Sequence, residues 1–294
     1  MTELVSTSLI HNFASKKLLV TGSSGHLGEA LCLSLSHMQC CEEVIGIDTL
    51  SSEHTTHVGS ILDREFVKEC LQGVDYVFHA ATLHKPHIIS HTNQDFIDVN
   101  VTGTLILLEE SVAAGVKAFI FTSSTTVFGD AMKAPTPVWV NEELHPIPKN
   151  IYGVSKLAAE NLCELFYRNH SLPCIVLRTS RFFLELDDDP TMLNLFPDTN
   201  IKCNEYLYRR VDIQDVVDAH LLALVKSTQI GFDKYIISAT TLFQKEDVMA
   251  LQDQADVVLE KHCPRFRGVY EALGWRMFTR FDRGKVLLRV RVRQ

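Results

Sequence analysis

Tyr152 and Lys156 stand four residues apart in the run YGVSK, so on a helix they share one face and the ammonium lies near the phenol. A free phenol titrates near about 10, and an adjacent cation favours the phenolate and moves the group toward the working pH. Tyr152 is therefore a candidate general base, removing a hydroxyl proton as a hydride leaves the same carbon. Ser124, at the end of the apolar run 118–123, is placed to hydrogen-bond that oxygen as alcohol becomes carbonyl. A bare Tyr-x-x-x-Lys is common in proteins, so the reading depends on what else the chain supplies.

An electron acceptor has a candidate berth in TGSSGHLG, residues 21–28, between the apolar run Leu18-Leu19-Val20 and the helix-period series Leu27, Leu31, Leu35. Gly22 permits a tight strand-to-helix turn, Gly25 leaves room for a pyrophosphate at the backbone, and Gly28 lets the helix pack closely on the strand. The helix N-terminus adds unpaired N–H donors for phosphate oxygens. Asp48 closes the next apolar run, where a carboxylate receives a ribose 2′-hydroxyl.

The elements that must position these residues alternate along the chain. Strands are predicted at 17–21, 43–48, 75–81, 118–123, 175–179 and 235–238, with helices near 26–38, 64–72, 95–114, 153–169 and 214–226. Such alternation calls for parallel strands with right-handed crossovers, hence an α/β fold with a doubly wound parallel, Rossmann-type sheet and a small C-terminal substrate-binding region. Gly22, Asp48, His79 to Thr82, Ser123, Ser124 and Thr179 then fall at carboxyl ends of strands, where such sheets bind ligands. The expected division is a leader at 1–15, a dinucleotide-binding domain at 16–180 plus about 208–240, and a substrate-binding region at about 181–207 and 241–294.

Composition narrows the classes. With 294 residues, 46% hydrophobic and 22% charged, the chain can bury a large core, and its net charge of −8 argues against a general nucleic-acid binder. No run approaches the roughly 18 to 20 apolar residues of a membrane span, and the first fifteen residues lack the basic start and apolar stretch of a secretory signal. The eight cysteines include no Cys-x-x-Cys pair, which fits a reducing cytoplasm. His84, His87 and His91 would share a helical face, but no Cys or carboxylate cluster accompanies them, so no metal is expected.

Taken together, TGSSGHLG, Asp48, HAAT at 79–82, the element from Asn100 to Thr104, FTSSTTVFGD at 121–130, YGVSK and VDIQDVVDAH resemble the extended short-chain dehydrogenase/reductase family, in its branch of NAD-dependent sugar epimerases and dehydratases. The resemblance covers roughly residues 15–240. It implies an enzyme with NAD as cofactor, bound by Gly22, Ser24, Gly25, His26, Leu27, Gly28, Asp48, Ser60, Ile61, Ala80, Ala81, Thr82, Asn100, Thr122, Tyr152 and Lys156. Ser124 and Tyr152 would do the proton chemistry, while Lys156 holds the nicotinamide ribose. Lys85, Ser124, Thr125 and Arg181 would meet a sugar or nucleotide-sugar. Asn100 would support the site's hydrogen bonds, with a helix or turn cap as the competing reading. The resemblance also implies a homodimer through the helices holding Leu105–Val112 and Leu157–Phe166, which carry more apolar residues than one buried face needs.

Departures from the family pattern sharpen the expectation. Gly59-Ser60-Ile61 replaces the Asp that contacts adenine in many relatives, and Thr125-Thr126 stands where sugar–nucleotide dehydratases carry an Asp-Glu pair. Two threonines cannot act as acid and base for removing water. Arg181 suits a phosphate or carboxylate, with a surface ion pair to the acids at 185–189 as its alternative, and Tyr208 occupies the position of a second phosphate-gripping Arg. The tail from Arg283 alternates Arg with Val or Leu and reads as a basic edge strand or a disordered end, with an anion-binding role as the alternative. Three outcomes stay open: an epimerase that returns the hydride to the opposite face, a net dehydrogenase acting on a free sugar, sugar acid or other small alcohol, and a non-catalytic NAD-binding scaffold. Intact Ser124, Tyr152 and Lys156 speak against the last.

Overall fold

The computed structural model describes residues 13–39, 41–133, 138–182, 190–276 and 287–288. Seven parallel strands form one sheet: β1 (Lys17–Thr21), β2 (Glu43–Asp48), β3 (His57–Val58), β4 (Tyr76–His79), β5 (Ala118–Ser124), β7 (Cys174–Thr179) and β8 (Phe232–Ile237), with Trp139–Val140 as a separate β6. Their order is β3-β2-β1-β4-β5-β7-β8. The chain winds outward from β1 through β2 to β3, then crosses to β4 and winds the other way. A crevice opens where the order reverses, beyond the carboxyl ends of β1 and β4. Register brings those ends level: Thr21 pairs with Ile47 and with His79, and Ser124 pairs with Thr179.

Both faces of the sheet are covered, which is why its strands read as continuous apolar runs. On one face Leu18, Val20, Phe78, Ile120 and Leu177 pack on Leu31 and Leu35 of helix α1 (His26–Met38) and on Leu221 and Leu224 of the helix Ile213–Ile230. On the other, Leu19, Val77, Phe119 and Val176 meet Val67, Leu107, Leu108, Cys163 and Phe166. These come from α2 (Arg64–Cys70), α4 (Gly103–Ala114) and α5 (Ile151–His170), α3 being the short helix Asn93–Ile97. A smaller core joins Tyr208 to Phe243, Val248, Leu251, Val258, Leu259 and Phe266 from beyond β8.

Several expected elements change shape. The helix predicted at 95–114 is broken by a π-helical turn at Asp98–Thr102, where the Gly103 N–H reaches back to the Asp98 carbonyl. β8 starts three residues before the expected 235, and β3, only two residues long, had no apolar run to betray it. Of the tail, Leu287–Leu288 forms β9 beside Trp139–Val140; its other residues, and those at 183–189, lie outside the described residues. At the open edge of β8 the Ile236 N–H donates to Glu142 Oε1 at 3.2 Å.

Candidate active site

The turn after β1 is built around Gly22, whose φ is +76°. A Cβ there would sit 2.7 Å from the Ala81 nitrogen, and one on Gly28 would sit 2.0 Å from the Gly22 carbonyl oxygen. The two glycines thus set the contact of β1 with the β4 exit and of α1 with the turn. No side chain caps the first turn of α1, whose cap residue is Gly25, so its N–H groups face the crevice end. Asp48 is held rigidly: its Oδ2 accepts the Ser24 N–H at 3.1 Å and its Oδ1 accepts the Leu50 N–H at 3.0 Å.

A cleft of about 810 Å³ runs along these strand ends. Gly22, Gly25, His26, Leu27 and Gly28 form one wall, with Asp48, Ser60 and Ile61 beyond them. Ala80, Ala81, Thr82 and Lys85 follow from the β4 exit, and Thr122, Ser124, Thr125, Tyr152, Lys156 and Arg181 line the other half. Two expected site residues stand behind the wall instead. Ser24 donates its hydroxyl to the Leu50 carbonyl at 2.7 Å, and Asn100 is buried. Asn100 caps no helix: its Oδ1 accepts from the Leu83 N–H and the Thr82 hydroxyl, and its Nδ2 donates to the Leu83 carbonyl and to Ser155 Oγ. Ser60 Oγ accepts the Leu62 N–H at 3.1 Å.

Helix α5 begins at an Asn150 cap that accepts the Gly153 N–H, which puts Tyr152 in its first turn and Lys156 one turn on. Both side chains are buried. Burial pushes the Tyr152 phenol up to about 12, with Ser124 pulling the other way through a hydrogen bond, and burial brings Lys156 down to about 7. The expected lowering of the phenol by Lys156 is therefore not what the structure shows. Helical spacing does put both groups on one side, but Lys156 Nζ donates to the Thr122 carbonyl at 2.7 Å and lies 4.6 Å from the centre of the Phe121 ring. Thr126, which spacing did not single out, donates its N–H to Ser124 Oγ at 3.1 Å and aims the hydroxyl.

Beneath these residues lies a buried pair that the sequence reading missed. Glu160 accepts from Arg178 Nε and Nη2 and from the Ser123 hydroxyl, tying α5 to β5 and β7 directly under Ser124 and Lys156. Its one signal was position, a further turn along the Tyr152 and Lys156 face. Losing either partner would strand a buried charge at a cost of about 3–5 kcal/mol. His79 is also buried, and desolvation, with a smaller push from Lys156, holds it well below the ordinary imidazole range and so neutral.

At the far end of the cleft Arg181 joins the wall through backbone pairing with 209–211, and Phe182, Tyr208 and Arg209 line it beside Arg181. Glu205 pairs with both Arg209 and Arg210. The acids at 185–189, the alternative ion-pair partners of Arg181, lie outside the described residues. The His84 and His87 rings meet edge to face and the His87 and His91 rings at a tilt, with centroids 4.4 and 5.3 Å apart, and the His84 backbone N–H donates to His87 Nδ1. Among the described residues no group of three His, Cys, Asp or Glu is placed to hold a metal ion, and no helix is long and apolar enough to cross a membrane.

A doubly wound sheet with a glycine turn, a strand-end acid and a Ser/Tyr/Lys cluster in one cleft defines a dinucleotide-type site. The pattern of the NAD dependent epimerase/dehydratase family matches residues 18–237, and the chain belongs to that family. It is 36% identical over 166 residues to an uncharacterised protein of Sinorhizobium fredii, covering 55% of this chain and 40% of that one. It is 33% identical over 181 residues to a UDP-glucose 4-epimerase of Erwinia amylovora, covering 55% and 52%. The chain thus spans about half the length of the curated relatives it matches. Among solved structures, UDP-glucose 4-epimerase of Thermotoga maritima with UDP-glucose superposes with a TM-score of 0.62 at 24% identity, covering 93% of this chain and 90% of that one, and shares the fold.

Proposed function

We propose that the chain is an NAD-dependent epimerase-type oxidoreductase acting on a secondary alcohol of a sugar or nucleotide-sugar. The observation that carries the reading is the convergence of Ser124, Tyr152 and Lys156 on the cleft that also holds the glycine turn and Asp48. The turn fits a dinucleotide because a Cβ would fill its cradle at Gly22 or Gly28, and α1 offers uncapped N–H groups there. Gly22, Gly25 and Gly28 would border the pyrophosphate, Asp48 would take the adenosine ribose, and Ala80, Ala81 and Lys156 would border the nicotinamide half. NAD, when bound, would supply the two-electron acceptor and a positive charge.

The protein's own residues would handle the proton. Tyr152 Oη takes it from the substrate hydroxyl, Ser124 holds the oxygen as it gains carbonyl character, and Thr126 keeps Ser124 aimed. A buried phenol near about 12 is a strong base once ionised but a costly one to ionise, so positive charge next to it is needed to stabilise the phenolate. Arg181, with Lys85 and Thr125, would grip the rest of the substrate, and its planar fork suits a phosphate or carboxylate. Thr125 and Thr126 provide no acid–base pair, so loss of water is not part of the reading. The relatives named as UDP-glucose 4-epimerases make the nucleotide-sugar the first substrate to try. A homodimer through the outer faces of α4 and α5 is part of the proposal, supported by Val154 and Leu165, which stay exposed on α5.

The test is a panel of nucleotide-sugars, free sugars and uronic acids incubated with protein and NAD, followed by NADH absorbance and by NMR of the sugar. Epimers without accumulating NADH support the proposal, and steady NADH release would make the protein a net dehydrogenase. Neither epimers nor NADH from any member, with NAD bound, would leave the scaffold reading in its place. Light scattering of a monomer at micromolar concentration would remove the dimer.

A further inference from the structure

A run of buried polar groups leads from the glycine turn to the catalytic helix, and its donors and acceptors can be assigned one by one. The Ala81 N–H donates to Thr21 Oγ1 at 3.1 Å, and Thr21 Oγ1 lies 2.7 Å from His79 Nδ1. His79 Nε2 lies 2.9 Å from Thr104 Oγ1, which spends its own proton on the Asn100 carbonyl at 2.7 Å. Thr104 must therefore accept from His79 Nε2–H, which leaves Nδ1 as the acceptor for the Thr21 hydroxyl. Asn100 then donates to Ser155 Oγ at 2.9 Å, and Ser155 donates to the Tyr152 carbonyl at 2.9 Å. Thr21, His79, Thr104, Asn100 and Ser155 are all buried, so water cannot replace a missing partner. Each link admits one direction only, and the π-helical turn at Asp98–Thr102 sets Asn100 and Thr104 in their places within it.

We infer that this chain of hydrogen bonds is a positioning device in which His79 and Thr104, neither of them in the cleft wall, hold the dinucleotide turn and the Tyr152 helix in one register. The turn end matters because Ala81 abuts Gly22 so closely that a Cβ on Gly22 would sit 2.8 Å from the Ala81 Cα. Loosening the Ala81 anchor shifts the wall on which the nicotinamide half would lie. The helix end matters because Asn100 fixes both the Thr82–Leu83 backbone and, through Ser155, the first turn of α5. The inference rests on the NAD-binding, Tyr152-base reading above.

Thr104→Val keeps the shape of the side chain and removes its hydroxyl, Thr104→Ser keeps the hydroxyl, and Ser227→Ala deletes a buried hydroxyl elsewhere. NAD affinity is read by titration calorimetry well below each variant's melting temperature. Thr104→Val is expected to weaken NAD binding about tenfold, with Thr104→Ser and Ser227→Ala within about twofold of the wild type. Ser155→Ala, which cuts the two links at the helix end and leaves those of Thr21, His79 and Thr104 in place, should leave NAD affinity within about twofold and lower kcat on the substrate that the panel identifies. Wild-type protein that does not bind NAD overturns the proposed function. Wild-type binding matched by Thr104→Val, or an equal loss in Ser227→Ala, overturns the positioning device alone.

Discussion

The two ends of the cleft are built on different principles. At the dinucleotide end, backbone shape does the work: Gly22 and Gly28 leave no space for side chains, and Asp48 is clamped by two backbone N–H groups. At the end proposed for substrate, charged side chains stand in the wall instead, Arg181 and Arg209, the latter paired with Glu205. Shape of the first kind tolerates almost no substitution, because a Cβ at Gly22 or Gly28 would meet backbone atoms. Charge of the second kind is easily changed, so it is where one fold comes to take different substrates.

The sharpest way to separate the ends is to remove chemistry without touching either. Tyr152→Phe keeps the ring and deletes the oxygen, so NAD affinity should hold while single-turnover reduction of bound NAD falls on the order of 10² to 10⁴-fold. Reduction at the wild-type rate would place the base elsewhere. Next in size, Arg181→Ala should raise KM for a nucleotide-sugar roughly ten- to a hundredfold with kcat nearly kept, and should leave NAD affinity unaltered. A matching loss of NAD affinity would merge the two ends into one. Asp48→Ala should narrow the preference for NAD over NADP several-fold in paired calorimetric titrations, because the carboxylate repels a 2′-phosphate. Equal affinities in the wild type would remove Asp48 from that role.

A separate effect, on stability and not on binding, concerns Lys156. Its pKa in the folded protein, about 7, lies below the ordinary 10.5, so between those values the unfolded chain binds more protons. Stability should therefore rise with pH from about 7 toward 10, and Lys156→Met should flatten that part of the curve. Thermal melts of the two proteins across this range decide the matter; parallel curves would show that the buried ammonium is not strained by desolvation.

What could be read in the sequence follows the same division. The dinucleotide end was legible because glycine spacing, strand ends and a strand-end acid are local patterns, and β1, β2 and α1 fall where periodicity put them. The cluster of Ser124, Tyr152 and Lys156 was legible for the same reason. The direction of the Tyr152 shift was not, since burial, which helical spacing does not report, raises the phenol, and the Lys156 ammonium donates to the Thr122 carbonyl, distant in sequence. Nor were Glu160 with Arg178, or His79 with Thr104, because each is defined by a partner on another element. Asn100 was expected among the cofactor contacts and serves from behind them, a distinction that only the π-helical turn at Asp98–Thr102 makes visible.

The outermost strand carries a last consequence. An uncovered strand offers free rungs to any neighbouring chain that can lie alongside it, and concentrated protein is where such pairing begins. Glu142, by occupying the Ile236 rung of β8 from within the same molecule, puts a carboxylate in the path of an incoming strand. A second chain would have to displace that charge before the first new hydrogen bond formed. One acidic side chain in the loop before α5 thus bears on how densely this protein can be kept in solution, a property remote from the chemistry of its cleft.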